Sequence, residues 1–204
     1  MNNRLLISLV GAVAVLAAVF FMFRPAGEVR NYPPHAGPVV AFGDSLVAGT
    51  GATAGHDFVS VVSEKLGVPI ENLGVPGDTT ASALKRVDGV TAKKPSVVLV
   101  LLGGNDFLRR VPHSETFANL RTIIGKFQAG GAVVVLLGVR DGLLFSGSAE
   151  FEAVAKETQS AYVPDVLAGL FGDPKYMSDE VHPNDAGHMI IAGKVYPVLK
   201  RVLK

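Results

Sequence analysis

The chain has 204 residues, 49% of them hydrophobic and 18% charged, with 19 Lys plus Arg, 18 Asp plus Glu and no cysteine. That length fits one globular domain with a small addition, and a net charge of +1 lacks the basic excess of a nucleic-acid binder, so no nucleic-acid partner is expected. Without cysteine there are no disulfides, Cys-ligated zinc, iron–sulfur clusters or thiolate nucleophile, and covalent chemistry must start from oxygen or amine.

From Leu5 to Phe23 the chain reads LLISLVGAVAVLAAVFFMF, preceded by Arg4, with only Ser8 and Gly11 outside the hydrophobic set. As a helix this run spans about 28 Å, close to the hydrocarbon thickness of a bilayer. A cleaved signal peptide has a shorter apolar core followed by a small-x-small site. Here the Ala12 to Ala14 triplet lies inside the run, and Phe20, Phe21 and Phe23 follow it. Residues 1–23 therefore read as an N-terminal transmembrane helix acting as a membrane anchor, with a cleaved signal peptide as the alternative. Arg4 on one side and Arg24 and Arg30 on the other give no orientation by charge. Residues 24–37 hold Pro25, Gly27, Pro33, Pro34 and Gly37 without apolar periodicity and read as linker, which leaves 38–204 as the domain.

Five short apolar runs punctuate that domain: 39–42, 68–73, 96–102, 132–139 and a weaker 161–163. Rich in Val and Leu and without polar alternation, they read as strands buried on both faces. Helical patterns lie between them at 57–66, 80–90, 115–127 and 150–158, and a last one runs from about Asn184 to Lys204. Strands alternating with helices predict a parallel α/β sheet.

In such a sheet, ligands bind beyond the carboxyl ends of the strands. After the first predicted strand comes Gly43-Asp44-Ser45-Leu46, after the second Gly74-Val75-Pro76-Gly77-Asp78, and after the third Gly103-Gly104-Asn105-Asp106. Beyond the fifth stands Asp179-Glu180-Val181-His182-Pro183-Asn184. A serine, a backbone-exposing glycine, an asparagine amide and an Asp/His pair thus gather on one edge, as serine-mediated acyl transfer requires. Each has a plainer reading. Ser45 would serve as a helix cap, Gly77 as a turn residue before a capping Asp78, Asn105 and Asp106 as a capping pair, and His182 as a structural histidine. Their joint occurrence on one edge favours chemistry.

Taken together, these blocks resemble the SGNH or GDSL hydrolases, a family named for Ser, Gly, Asn and His in four sequence blocks. The matching stretches are FGDSLVAGTG, NLGVPGDTT, GGNDF and DEVHPN, and the resemblance covers the whole domain from about Pro38. It implies a three-layer α/β/α, flavodoxin-like sandwich with five parallel strands. It also implies a nucleophile at Ser45, a triad acid at Asp179, a triad base at His182, and an oxyanion hole formed by Ser45, Gly77 and Asn105. The look is that of the small bacterial periplasmic thioesterase, lysophospholipase and arylesterase group.

That chemistry suits the side chains. A serine hydroxyl is a poor nucleophile at neutral pH, so a base must take its proton. Asp179 lies three residues before His182, and a turn can bring its carboxylate to the imidazole Nδ1 and fix the tautomer. No G-x-S-x-G surrounds Ser45 and no H-E-x-x-H appears, so neither an α/β-hydrolase elbow nor zinc is expected. His182 and His188 with Asp179 and Asp185 can be drawn as a metal cluster, but the serine block makes it superfluous. Candidate pocket walls are Phe107 and Leu108 after the Asn105 block, and Leu143, Leu144 and Phe145 in the loop after the fourth run, which read equally well as a packing cluster.

The expectation is an envelope-anchored serine esterase without cofactor or metal, acting on small-molecule acyl esters or thioesters and facing outward from the cytoplasm. If the leader is cleaved, the enzyme is secreted. Its rivals are a carbohydrate O-acetylesterase on the same scaffold and a non-catalytic envelope binding module.

Overall fold

A computed structural model describes residues 29–139 and 148–204. The proposed span at 5–23 and the loop residues Leu143, Leu144 and Phe145 lie outside the described residues. Among the described residues, no helix is long and apolar enough to cross a membrane.

Five parallel strands form one sheet in the order β2-β1-β3-β4-β5: β1 Val39–Gly43, β2 Ile70–Gly74, β3 Val97–Leu101, β4 Val133–Leu137 and β5 Ala161–Val163. Val39 pairs with both Ile70 and Val97, Val97 with Val133, and Val135 with Ala161. All residues of β1, β3 and β4 are buried, each such Val or Leu contributing about 1.5–3 kcal/mol by leaving water. The second strand departs from the expectation of burial on both faces, because it is an edge strand and carries Glu71 and Asn72. Glu71 pairs with Lys93 at 2.7 Å, and Asn72 Nδ2 donates to the Val47 carbonyl at 2.6 Å.

The helices are α1 Ser45–Ala48, α2 Phe58–Leu66, α3 Thr80–Leu84, α4 Val87–Thr91, α5 Gly104–Leu108, α6 His113–Ala129, α7 Ser148–Glu157 and α8 Asp185–Val202. On one side, α2 packs against α8, which also covers β4 and β5. On the other, α3, α4 and α7 pack against α6, which lies on β4. The result is the expected three-layer α/β/α sandwich, with the change of crossover direction between β1 and β3.

The helix predicted between β2 and β3 is corrected. The single helix predicted at 80–90 is broken between α3 and α4 by a turn at Lys85 and Arg86. The Arg86 guanidinium lies 4.0 Å from the Phe42 ring centroid and donates to the Leu73 carbonyl at 3.0 Å and the Gly43 carbonyl at 2.9 Å. Within the stretch read as linker, residues 29–31 are docked on the domain. Val29 is buried in the core, the Arg30 N–H donates to the Gln159 carbonyl at 2.9 Å, and Asn31 Nδ2 donates to the carbonyls of Gln128 and Ala132 at 2.8 and 2.9 Å. One apolar residue and one amide dock this stretch with no periodicity to announce it.

Candidate active site

β1 ends at Gly43, and the chain turns at once into α1. Asp44 caps that helix, its Oδ1 accepting from the Leu46 N–H at 3.0 Å, so Ser45 is the first helical residue rather than the cap. The Ser45 hydroxyl lies 3.0 Å from His182 Nε2, and His182 Nδ1 lies 2.7 Å from Asp179 Oδ2. The other carboxylate oxygen, Oδ1, accepts from the N–H groups of Val181 at 2.8 Å and His182 at 2.7 Å. The imidazole contact, followed by these backbone donors, holds the Asp179 carboxyl down at about 2, so it is an anion at neutral pH. An anion facing Nδ1 selects the tautomer protonated there and leaves the Nε2 lone pair for the Ser45 hydroxyl.

The loop carrying His182 is pinned at several points. Ser178 donates to the His182 carbonyl through its N–H at 2.8 Å and its hydroxyl at 2.9 Å, and Met177 bridges Pro183. Gly51 packs against this loop so closely that a Cβ there would collide with the Pro183 carbonyl and stand 3.2 Å from His182 Cβ. Asn184 then caps α8 by accepting from the Gly187 N–H at 3.1 Å.

Gly77 closes the turn after β2 with φ +80°, a left-handed conformation that favours glycine. The following helix is capped by Thr79, not Asp78. Asp78 instead accepts from Arg86 Nε at 2.7 Å and from the Ser82 hydroxyl. Asn105 and Asp106 lie inside α5 and do not cap it. Asn105 Nδ2 donates to the Asp78 carbonyl at 3.1 Å and faces Asp44 Oδ2 at 3.4 Å. Asp106 is fully buried and accepts from the Thr80 N–H at 2.9 Å and the Thr80 hydroxyl at 2.6 Å, tying the Asn105 segment to the start of α3.

Ser45, Gly77, Asn105 and His182 line one cavity of about 650 Å³, within the range of small-molecule sites. Phe107 and Leu108 line it as expected, joined by Val111, Val139, Leu167 and Val181, which strand-end reasoning missed. Val139 and Leu167 are buried, whereas Leu108 is 65% exposed at the mouth. Asp44 was also missed. Burial, partly offset by the Leu46 N–H, pushes its carboxyl up to about 7. The signal available in sequence was a second acid beside the serine on a wholly apolar strand.

His188 is separate from this group. It is fully buried, with Nδ1 accepting from the Phe58 N–H and Nε2 donating to the Thr50 carbonyl, both at 3.3 Å. Asp185 is committed to Thr53 at 2.6 and 2.8 Å, so neither residue joins Asp179 and His182 in the cluster drawn from sequence.

Residues 41–190 match the sequence profile of the GDSL-like lipase/acylhydrolase family. The chain is 31% identical over 178 residues to esterase TesA of Pseudomonas aeruginosa, covering 81% of this chain and 89% of that protein. It is 29% identical over 164 residues to thioesterase 1/protease 1/lysophospholipase L1 of Escherichia coli K12, covering 76% of this chain and 79% of that protein. A crystal structure of TesA superposes with a TM-score of 0.77 at 31% identity, covering 81% of this chain and 99% of that one. A parallel α/β sheet with these matches defines the class, a serine hydrolase. The chain belongs to the GDSL-like lipase/acylhydrolase family.

Proposed function

We propose that the chain hydrolyses ester or thioester bonds of acyl substrates through an acyl-enzyme on Ser45. The observation that carries this reading is the hydrogen-bonded series Asp179, His182, Ser45 opening into a largely apolar cavity. His182 takes the hydroxyl proton as Ser45 attacks the carbonyl carbon, and returns it to the departing alcohol or thiol. Water, deprotonated by the same imidazole, then attacks the acyl-enzyme and releases the carboxylic acid. Asp179 holds the imidazole and stabilises its charged form. The Ser45 N–H, the Gly77 N–H and the Asn105 amide are the oxyanion donors, each contributing about 3–4 kcal/mol to transition-state stabilisation.

The names of the relatives, an esterase and a thioesterase/lysophospholipase, support either leaving atom. The apolar lining supports an acyl chain over the shallow polar pocket that a carbohydrate acetylesterase needs. Residues 5–23 serve in this reading as a membrane anchor that holds the catalytic domain in the cell envelope, outside the cytoplasm. The support is an apolar run of spanning length with bulky phenylalanines where a cleavage site would lie. An intact mass retaining Met1 in membrane-extracted protein is expected, and a mature N-terminus between Ala12 and Pro34 would mean secretion instead.

The catalytic reading is tested with Ser45→Ala. The variant should melt like the parent, hydrolyse no 4-nitrophenyl acyl ester and take no fluorophosphonate label. Labelling retained at another serine would overturn the assignment.

A further inference from the structure

Cations gather at the end of the sheet opposite the cavity. α8 begins beside the His182 loop, and midway along it Lys194 Nζ donates to the carbonyls of Asp165, Val166 and Ala168, just past the carboxyl end of β5. One turn further on, Pro197 and Val198 share a second, smaller cavity with Val163. The helix therefore runs antiparallel to β5, and its last turn, with Lys200 and Arg201, lies at the amino end of that strand. Lys156, in the last turn of α7, comes down to the same end shortly before β5 begins. Lys94, in the connection from α4 to β3, lies against the entry segment, where its carbonyl would stand 2.7 Å from a Cβ on Gly37. Arg30 belongs to that segment, and its N–H is held by the Gln159 carbonyl.

Carboxylates at this end are engaged elsewhere. Glu71 pairs with Lys93 at 2.7 Å, Asp88 with Lys126 at 2.6 Å and Glu157 with Arg121 at 2.6 Å, while Glu64 has Lys65 beside it. Arg30, Lys94, Lys156 and Lys200 are exposed and form no ion pair among the described residues. Helix macrodipoles account for Lys156, Lys200 and Arg201 at helix ends, yet not for Arg30 and Lys94, which stand in loops.

The sequence ahead of Val29 bears on what this face meets. Only five residues, Arg24 to Glu28, separate Val29 from the apolar run that ends at Phe23, and a chain of that length reaches about 20 Å at most. A run that crosses a bilayer therefore keeps the amino ends of the strands close to the headgroups, where even a weak attraction acts at high effective concentration. We propose that this basic face docks on the anionic phospholipid headgroups of the bilayer, so that charge as well as the tether holds the catalytic domain against the membrane. The docking rests on the anchor reading given above.

The full chain is reconstituted into nanodiscs of phosphatidylcholine, with and without phosphatidylglycerol, and the acylation of each lysine by an N-hydroxysuccinimide ester is followed by peptide mass spectrometry. Lys85, next to Arg86, and Lys175, whose carbonyl accepts from Asn184, lie toward the cavity and serve as internal controls. On the anionic discs Lys94, Lys156 and Lys200 should react about fivefold more slowly than on the neutral ones, with the controls unchanged and the difference lost in high salt. Lys94→Gln combined with Lys200→Gln should return Lys156 to its neutral-disc rate and leave ester hydrolysis unchanged, since each cation near such a surface is worth about fivefold in binding. Equal rates on the two discs overturn the proposal while the anchor reading stands, provided the chain travels with the discs. Slowing that survives high salt or the double substitution overturns it as well, as does slowing at Lys85 and Lys175 in place of the other three. A chain that enters neither disc overturns the anchor reading and the proposal with it.

Discussion

Asp44 Oδ2 faces Asn105 Nδ2 across 3.4 Å, so the residue just before the proposed nucleophile meets the amide proposed for the oxyanion hole. The second Asn105 bond, to the Asp78 carbonyl at 3.1 Å, is the tighter of the two.

The Asp44 carboxyl has a consequence for stability. Burial raises it from 3.8 to about 7, so between those values the folded chain keeps a proton that the unfolded chain releases. Its contribution is fully present below pH 3.8 and is lost as pH rises toward about 7. Asp44→Asn cannot ionise, so its melting temperature minus that of the wild type should climb between these limits. A difference that does not vary with pH would mean that the carboxyl sits in an ordinary environment.

Asn105→Ala should lower kcat by about 10² to 10³ with little change in KM, because the lost hydrogen bond is strongest in the transition state. Steady-state kinetics on a single chromogenic ester decide this. A change confined to KM would make Asn105 a substrate-binding residue.

The two histidines on either side of Pro183 should separate cleanly. His182→Ala should remove turnover and leave the melting temperature near that of the parent, since its ring stands at the cavity. His188→Ala should retain turnover at temperatures below its own transition, yet lose about 2–4 kcal/mol of stability through two buried hydrogen bonds and a ring stacked on Phe58. Denaturant titration beside an activity assay checks both, and loss of activity from a folded His188→Ala would misplace the base.

Truncation tests the docked entry segment. A chain beginning at Glu28 keeps Val29 and Asn31 in place, whereas one beginning at Pro38 gives up a buried valine and two amide hydrogen bonds, about 3 kcal/mol together. Both should hydrolyse esters equally well at low temperature, with the shorter one unfolding at lower denaturant. Equal midpoints would show that 29–37 contributes nothing to the fold.

Strand positions and the polar residues after them were legible because a buried parallel strand is an uninterrupted apolar run, and the residue ending it lies on the functional edge. Ser45, Gly77 and Asn105 were picked out that way, as was the block with Asp179 and His182 beyond the fifth strand, and the roles proposed for them came from the family resemblance. What escaped has long-range causes. The break between α3 and α4 follows from Arg86 reaching carbonyls on β1 and β2, which nothing within 80–90 reveals. Asn31 docks through partners about 100 residues away, and the cavity walls Val139, Leu167 and Val181 come from three separate loops.

The entry segment meets Gln128, Ala132 and Gln159 near the amino ends of β4 and β5, whereas Ser45, Gly77 and Asn105 follow the carboxyl ends of β1, β2 and β3. With all five strands parallel, these are opposite poles of the molecule, a strand's length of about 16 Å apart or more. The described chain thus begins, at Val29, at the pole far from the cavity. A tether to a bilayer would turn the mouth toward the water, and an acyl substrate would then arrive as a dissolved or carried molecule instead of sliding in sideways from the lipid.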